Sequence, residues 1–468
     1  MHLRQPGLLL CVAFVAQALS SNAAVALEFQ PGIGLGFEFT DNAKLTPDNT
    51  VDDLIAVTYV AANISENRGP LTYQASTSLS KQNYTKDSFA DQRYFYLNAI
   101  ADWAMIKNRF NWTMSDQFSQ VPVNALGSNT PNNLQDTNVF ALAADIKPRI
   151  FARHDLSIVP SFSQYYYEKL STDNKQYSLA ANWQYQATRL TDLGLSLSAR
   201  KIDYTETGPF GRSIEDVRFL NASIAFSGQR IRSTFDTKLG ATYVKRDNGQ
   251  KTSGFVGHLN WLANLSTRSQ FLALFSTDLT DTSTAGVRAI EGSGTTGTAG
   301  ESAATDTTST VGGDATVTGT RSGDDVQITT DVIRNSIIDL AYLRKDASLN
   351  TRLSVRYHKV AYSDNPLDRI IRDFGLQFSY PVTQLLTSSA YINHNRSKQL
   401  DTGRKDKTYT IGSNLQYNFS RKIRGLFDLK YREKESTFAP ENFKEFSVYF
   451  SLIYGFGDVT RPTRAGVF

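Results

Sequence analysis

Phe446-Ser447-Val448-Tyr449-Phe450-Ser451-Leu452-Ile453-Tyr454-Gly455-Phe456 decides the fold. Phe446, Val448, Phe450, Leu452, Tyr454 and Phe456 recur at every second position, and side chains two apart on an extended chain share a face. A strand with an unbroken apolar face has to bury that face or present it to lipid. The same period runs back through the chain. Ile33, Leu35, Phe37 and Phe39 alternate with Gly34, Gly36 and Glu38, and Phe95, Leu97, Ala99, Ala101 and Trp103 alternate with Tyr96, Asn98, Ile100 and Asp102. Segments around Tyr177–Tyr185, Phe235–Tyr243 and Tyr409–Phe419 repeat the pattern. Each has one apolar and one polar face.

The connections separate a soluble sandwich from a membrane barrel. Short ones fall at Lys107-Asn108, Thr188-Arg189, Gly228-Gln229, Ser266-Thr267, Pro381-Val382 and Ser420-Arg421. Long polar ones lie between them, at 41–53, 81–92, 119–137, 203–216 and 395–406. Short turns on one rim and long loops on the other are the bacterial outer-membrane pattern, with apolar faces toward lipid and polar faces toward the lumen. The expected fold is therefore all-β: a transmembrane, antiparallel, up-and-down outer-membrane β-barrel of about 18–20 strands. It runs from near Ile33 to the Phe446–Phe456 strand, with both termini on the periplasmic side.

Composition agrees. Aromatic residues make up 12% of the 468 residues, while there are 3 Met and 1 Cys, and hydrophobic residues reach only 40%. Mean hydropathy is −0.33, too low for a helical membrane protein. Residues 1–26 read as a cleavable signal peptide. Their apolar run from Gly7 to Ala18 is too short to span a bilayer, and Ala24-Val25-Ala26 supplies the small-x-small cleavage pattern. The one cysteine, Cys11, lies inside that segment and lacks the small residues of a lipoprotein site, so the mature chain is expected to carry no thiol. After it no stretch approaches 18 consecutive apolar residues, and only helices and closed barrels satisfy their backbone in lipid. Residues 27–468 form one barrel domain on this reading. No segment ahead of the first strand is long enough for a separate plug domain. Residues 457–468, ending in Phe468, make a short periplasmic tail.

One stretch breaks the rhythm. Residues 276–341 contain no aromatic side chain, and 284–330 are rich in Gly, Thr, Ser, Ala and Asp. Such a segment buries too little apolar surface to offset the entropy of ordering. It is expected to be a disordered extracellular loop, dispensable for assembly; folding inward as a gate is the alternative.

Signals for chemistry are sparse. His154, His258, His358 and His394 show no metal-ligand spacing, and no catalytic residue, metal site or cofactor motif is assigned. His394, between Asn393 and Asn395, is the one histidine placed near the outer rim, where a hydrolase would need a partner for it. The net charge of +4 is spread along the chain and does not indicate nucleic acid. The predicted inward face is more informative. Asp102, Arg200, Asp236, Lys238, Asp339, Arg352, Arg356, Asp428 and Lys430 are the lumen-lining candidates. Mixed charge suits a hydrated passage. Arg352 and Arg356 share one face of one strand, so they either form a basic strip for an anion or pair with Asp339 or Asp428 and brace the wall.

Phe39-Thr40-Asp41-Asn42, followed by Leu45 and Pro47, resembles the opening of the outer-membrane β-barrels associated with exosortase/PEP-CTERM systems and exopolysaccharide loci. The similarity continues through Leu71-Thr72-Tyr73, through Asn132-Asn133-Leu134 to Thr137, and through the Thr/Ser-Arg hairpin turns. Residues 284–330 are not part of that pattern. The resemblance implies a large outer-membrane barrel on a polysaccharide export route and supplies no catalytic residues. Its expected partners are outer-membrane lipid and lipopolysaccharide, the assembly machinery that reads the last strand, polysaccharide, and periplasmic export proteins. A general or solute-specific porin and a structural or adhesive surface barrel share the fold and stay open, because fold alone does not fix function.

Overall fold

In the computed structural model, residues 27–205, 215–291 and 326–455 are described. Residues 1–26, expected to be a signal peptide, and 456–468, which include the expected periplasmic tail, lie outside these described residues, as do 206–214 and 292–325. Among them, twenty long antiparallel strands and one three-residue strand, Arg149–Phe151, make a single sheet. The first long strand, Glu28–Thr40, pairs with the last, Phe443–Gly455, from Gly32↔Gly455 to Thr40↔Ser447, so the sheet closes into a barrel. Every long strand pairs with its neighbours in sequence, as an up-and-down barrel requires.

The strand Asp53–Glu66 shows how the chain reads its own faces. Asp53, Ile55, Val57, Tyr59 and Ala61 are buried, whereas Leu54 and Val60 are 41% and 59% exposed. Exposed apolar rows of this kind recur around the barrel, including Ile33, Leu35, Phe37 and Phe39 on the first strand and Phe446, Phe450, Leu452 and Tyr454 on the last. In water they would be a liability. In a bilayer they are the lipid-facing band, because the alternative row of each strand is turned inward. The chain is thus a twenty-strand outer-membrane β-barrel. Ile224, 62% exposed at the middle of the strand Val217–Arg230, lies at the centre of that band. Ile224→Arg is expected to lower the stability of the refolded barrel by about 2–4 kcal/mol in urea titrations, while Ile231→Arg, in the hairpin turn, changes it by less than about 1 kcal/mol. Equal effects at the two sites would place the membrane band elsewhere.

The long strands run 13 to 15 residues, more than the roughly 9–11 that cross a bilayer. Their surplus projects beyond the outer rim. There the sequence turns polar on both faces, which is why the extracellular connections read from sequence come out too long. The strand Leu71–Tyr84 carries Lys81, Gln82 and Asn83 within the sheet, and Phe110–Pro122 carries Ser119 and Gln120. The connection at 247–250 is only a short turn.

The Thr40-Asp41-Asn42 motif serves closure. Thr40 Oγ1 donates to Glu445 at 3.1 Å, Asp41 Oδ1 accepts the Phe446 amide at 2.8 Å, and Asn42 Nδ2 donates to the carbonyls of Thr46 and Lys444 at 2.8 and 2.9 Å. First loop and last strand are therefore clasped at the outer rim. Below, the glycines of the first strand make room for aromatic rings. The Tyr59 ring lies over Gly34 and the Tyr449 hydroxyl over Gly36.

Candidate functional site: the lumen and its extracellular plug

All nine charged residues singled out in the sequence stand on rows opposite the exposed apolar ones. Asp102 accepts from Thr113 Oγ1 at 2.6 Å across one hairpin. Asp236 and Lys238 face Asn260 and His258 in the ladder, and Asp428 and Lys430 face Tyr449 and Ser447. Asp339 stands directly opposite Arg356, whose Nε lies 2.9 Å from Asp373 Oδ2. Arg356 is therefore bound to Asp373, a partner that the sequence alone did not single out. Arg352 sits on the same row of the same strand. These groups make the deeper lumen polar, with charge of both signs.

The outer part of the lumen differs. It was expected to be polar, and it is filled by an apolar core. Ile202, Val217, Phe219, Val244, Leu279 and Val332 form one buried cluster, and Val121, Val139, Tyr165, Tyr167 and Ile328 form another. In the first, Leu279 meets residues of strands that are not its neighbours in the wall; in the second, Ile328 packs onto three adjacent strands, so the core reaches in from the wall.

Its origin is visible in the burial of one hairpin. Residues 279–283, at the end of the strand Ser269–Asp281 and just beyond, are buried in succession, as are 331–333 at the start of Val332–Lys345. A wall strand exposes alternate residues to lipid; here the hairpin end folds inward on one side, since Ile333, Arg334 and Asn335 stay paired with Tyr362, Ala361 and Val360 while 278–281 lose the strand before them. The ladder with Lys251–Asn264 accordingly stops at Gly257↔Thr277. The ribbon carries a helix, Thr282–Glu291, into the interior. Asp281 starts that helix, its Oδ2 accepting the Thr284 amide at 2.9 Å, as an N-cap acid does. The expectation of an unstructured loop over 284–330 thus fails at both ends: Ala285, Val326 and Ile328 are buried in the lumen. The residues between, 292–325, lie outside the described residues.

Arg200 belongs to this plug, not to an open passage. Its guanidinium is buried over the Phe219 ring, 4.5 Å from the centroid. Nη2 lies 3.2 Å from Asp281 Oδ1, and Nη1 donates to Thr284 Oγ1 at 2.9 Å. Asp331 anchors the other side. It lies 2.9 Å from Arg246 Nη2 and accepts the Asp364 and Asn365 amides at 3.0 Å each. Both carboxylates are fully desolvated, so each needs its arginine.

A second element crosses the mouth. The loop 123–133 is gripped by Gln327, which accepts the Ala125 amide and donates to the Val123 carbonyl, both at 2.8 Å. Its far side reaches the opposite wall, where Arg404 Nη2 donates to the Leu126 carbonyl at 2.8 Å and Ser128 Oγ to Glu441 at 2.8 Å. A cavity of about 250 Å³ lies beside this latch, lined by Asn124, Leu126, Gln327, Tyr362, Leu367 and Arg369. On the rim outside the wall, the Lys86 ammonium beside Asp52 holds that carboxyl below its ordinary value.

Sequence reading missed Arg246, Asp281, Asp331, Gln327 and Arg404. Asp281-Thr282-Ser283-Thr284 is a helix-start signature that could have been found; the others carry no local signal. Among the described residues no cluster of acidic, His or Cys side chains has metal-binding geometry. His394 does not face a catalytic partner. It stacks on Tyr409, with ring centroids 4.4 Å apart, on the lipid-facing side of its strand.

No family model matches the sequence, and no curated protein sequence is similar to it. Among solved structures, the chain is similar to the siderophore receptor PirA of Pseudomonas aeruginosa, at 10% identity, covering 92% of this chain and 80% of that one, with a TM-score of 0.47. It is also similar to a mutant of the ferric enterobactin receptor PfeA of the same organism, at 9% identity, 93% and 81% coverage and a TM-score of 0.48. The FrpB iron transporter of Neisseria meningitidis gives 9% identity, 94% and 83% coverage and 0.47.

Proposed function

We propose that this barrel is a gated outer-membrane conduit for a hydrated, hydroxyl-rich solute, and that the solute is an exopolysaccharide on its way out of the cell. The observation that supports the reading is the stacking of two unlike layers in one lumen. A polar, mixed-charge interior lies beneath an outer plug that hangs from the wall by a ribbon and a loop. A polar lining hydrogen-bonds sugar hydroxyls without committing to one sign of charge. The Arg356–Asp373 pair tells against a basic strip selective for anions.

The polymer class rests on the resemblance carried by Phe39-Thr40-Asp41-Asn42 and the layout that follows it. On this reading the partners are outer-membrane lipid and lipopolysaccharide, the barrel-assembly machinery, and periplasmic export proteins that deliver the chain. A strain lacking the gene is expected to lose most of its cell-surface and secreted polysaccharide, measured as hexose in the culture supernatant, with complementation restoring it. Normal secretion by the deletion strain overturns the proposal.

A further inference from the structure

Among the described residues, one strand of the wall has an edge without a partner. Pairing between Lys251–Asn264 and Ser269–Asp281 ends at Gly257↔Thr277, although the first of these strands continues to Lys251 and stays paired with its other neighbour as far as Lys245↔Lys251. Among the described residues, Lys251, Thr252, Ser253, Gly254, Phe255 and Val256 therefore have no strand partner on this side at the outer rim. Barrels ordinarily abolish such edges. The segment that would fill this one is the ribbon now turned into the lumen. An ideal Cβ on Gly254 would sit 3.5 Å from Leu279 Cβ. In a continued ladder Gly254 would face Thr280 instead, and Leu279 would lie on the other side of the sheet.

The ribbon's own sequence fits both positions. Phe271, Ala273, Phe275, Thr277 and Leu279 form one period-2 row. Phe275 is 37% exposed in the lipid band, whereas Leu279 is 6% exposed inside the barrel. Returned to the wall, Leu279 would extend the lipid-facing row beside Phe255. Turned inward, it packs on Ile202, Phe219 and Val244. An inward arrangement held by a paired arginine, beside a strand edge with no described partner, has the makings of a bistable element.

We propose that the ends of these two strands, 278–281 and 332–335, are a wall segment in its closed position, and that opening re-zips Asp278–Asp281 onto Val256–Ser253, drawing the helix that follows out of the lumen. This rests on the reading of the barrel as a gated passage. The Arg200–Asp281 pair holds the closed position, and the free edge stores the backbone partners of the open one.

The test uses paired cysteines in the full chain with Cys11→Ser, so that no other thiol is present. Gly254→Cys with Leu279→Cys matches disulfide geometry in the closed position, since bridged Cβ atoms lie about 3.5–4.5 Å apart. Gly254→Cys with Thr280→Cys matches it only when the ladder continues, because Thr280 now faces Arg200. The first pair is expected to cross-link at rest and to hold conductance in planar bilayers at the closed level until reduced. The second is expected to cross-link slowly, to raise conductance once formed, and to form about tenfold faster when Asp281→Asn removes the partner of Arg200. Failure of the second pair to cross-link, with Asp281→Asn present and the first pair competent, overturns the proposal. So does unchanged channel opening in the barrel locked by the first pair. If no variant carries current, the conduit reading fails, and the cross-linking rates still decide whether the ribbon moves.

Discussion

A barrel in which residues 282–330 are replaced by a short Gly/Ser linker is expected to fold and to conduct ions better than the parent. Folding should survive because the two strands on either side are adjacent. Asp281 stands opposite Val332, so a hairpin-length linker closes the gap. Shortening a loop costs little entropy, since closure grows only with the logarithm of length. The closed ladder from Glu28 to Gly455 is untouched, and the purified variant should keep the mobility shift on boiling that marks a folded barrel. Conduction should rise because the replacement removes Ala285, Val326 and Ile328 from the outer core and removes Gln327 from the loop 123–133. Single-channel recording gives the answer. Conductance equal to the parent's would assign closure to the loop 123–133 and its grip on Arg404 and Glu441. Loss of the folded band would show that the plug is part of the barrel's structural core.

Gly34→Val is expected to be among the most damaging single substitutions in the wall. A Cβ at Gly34 would lie 2.2 Å from Cζ of Tyr59, well inside any permitted contact. The ring cannot simply swing away, because Tyr59 is 3% exposed and packs with Ile55, Val57, Tyr84 and Tyr449 in the core cluster behind the first and last strands. Overpacking of this kind costs about 1–3 kcal/mol or more. Here it also falls next to the pairing that closes the barrel, so assembly yield should fall along with stability. Tyr59→Ala alone should be destabilising through its cavity. Combined with Gly34→Val it should recover part of the loss, since the added methyl groups then occupy the space of the ring. Urea titration of the four barrels measures the coupling. Additive losses in the double variant would show that the collision is relieved by backbone movement instead.

The outer plug was beyond local reading for a definite reason. Period 2 says that a strand has two faces; it does not say which one turns to lipid when both are apolar. In Asp53–Glu66, Ile55, Val57 and Tyr59 alternate with Leu54, Ala56 and Val60, and either row could have faced out. The buried ion pairs are equally silent in sequence. Arg200 and Asp281 lie 81 positions apart, and Arg246 and Asp331 lie 85 apart. The contact that makes each one meaningful is long-range. Arg200 stands on the row opposite Leu195 and Leu197, yet the row does not reveal that a ribbon fills the space in front of it.

The sequence by itself determined the antiparallel strands, their two alternating rows with the inward one marked wherever it is polar, and the closed barrel that an unbroken lipid-facing row demands. These follow from the alternation of side chains on an extended chain and from the need to satisfy every backbone group within lipid. Only the tertiary structure decided where the wall ends and the plug begins. Strand pairing above Gly257 and Thr277 competes with burial of Leu279, Val332 and the Arg200–Asp281 pair in the lumen. The residues that tip that competition are far apart in sequence and meet only in the folded barrel.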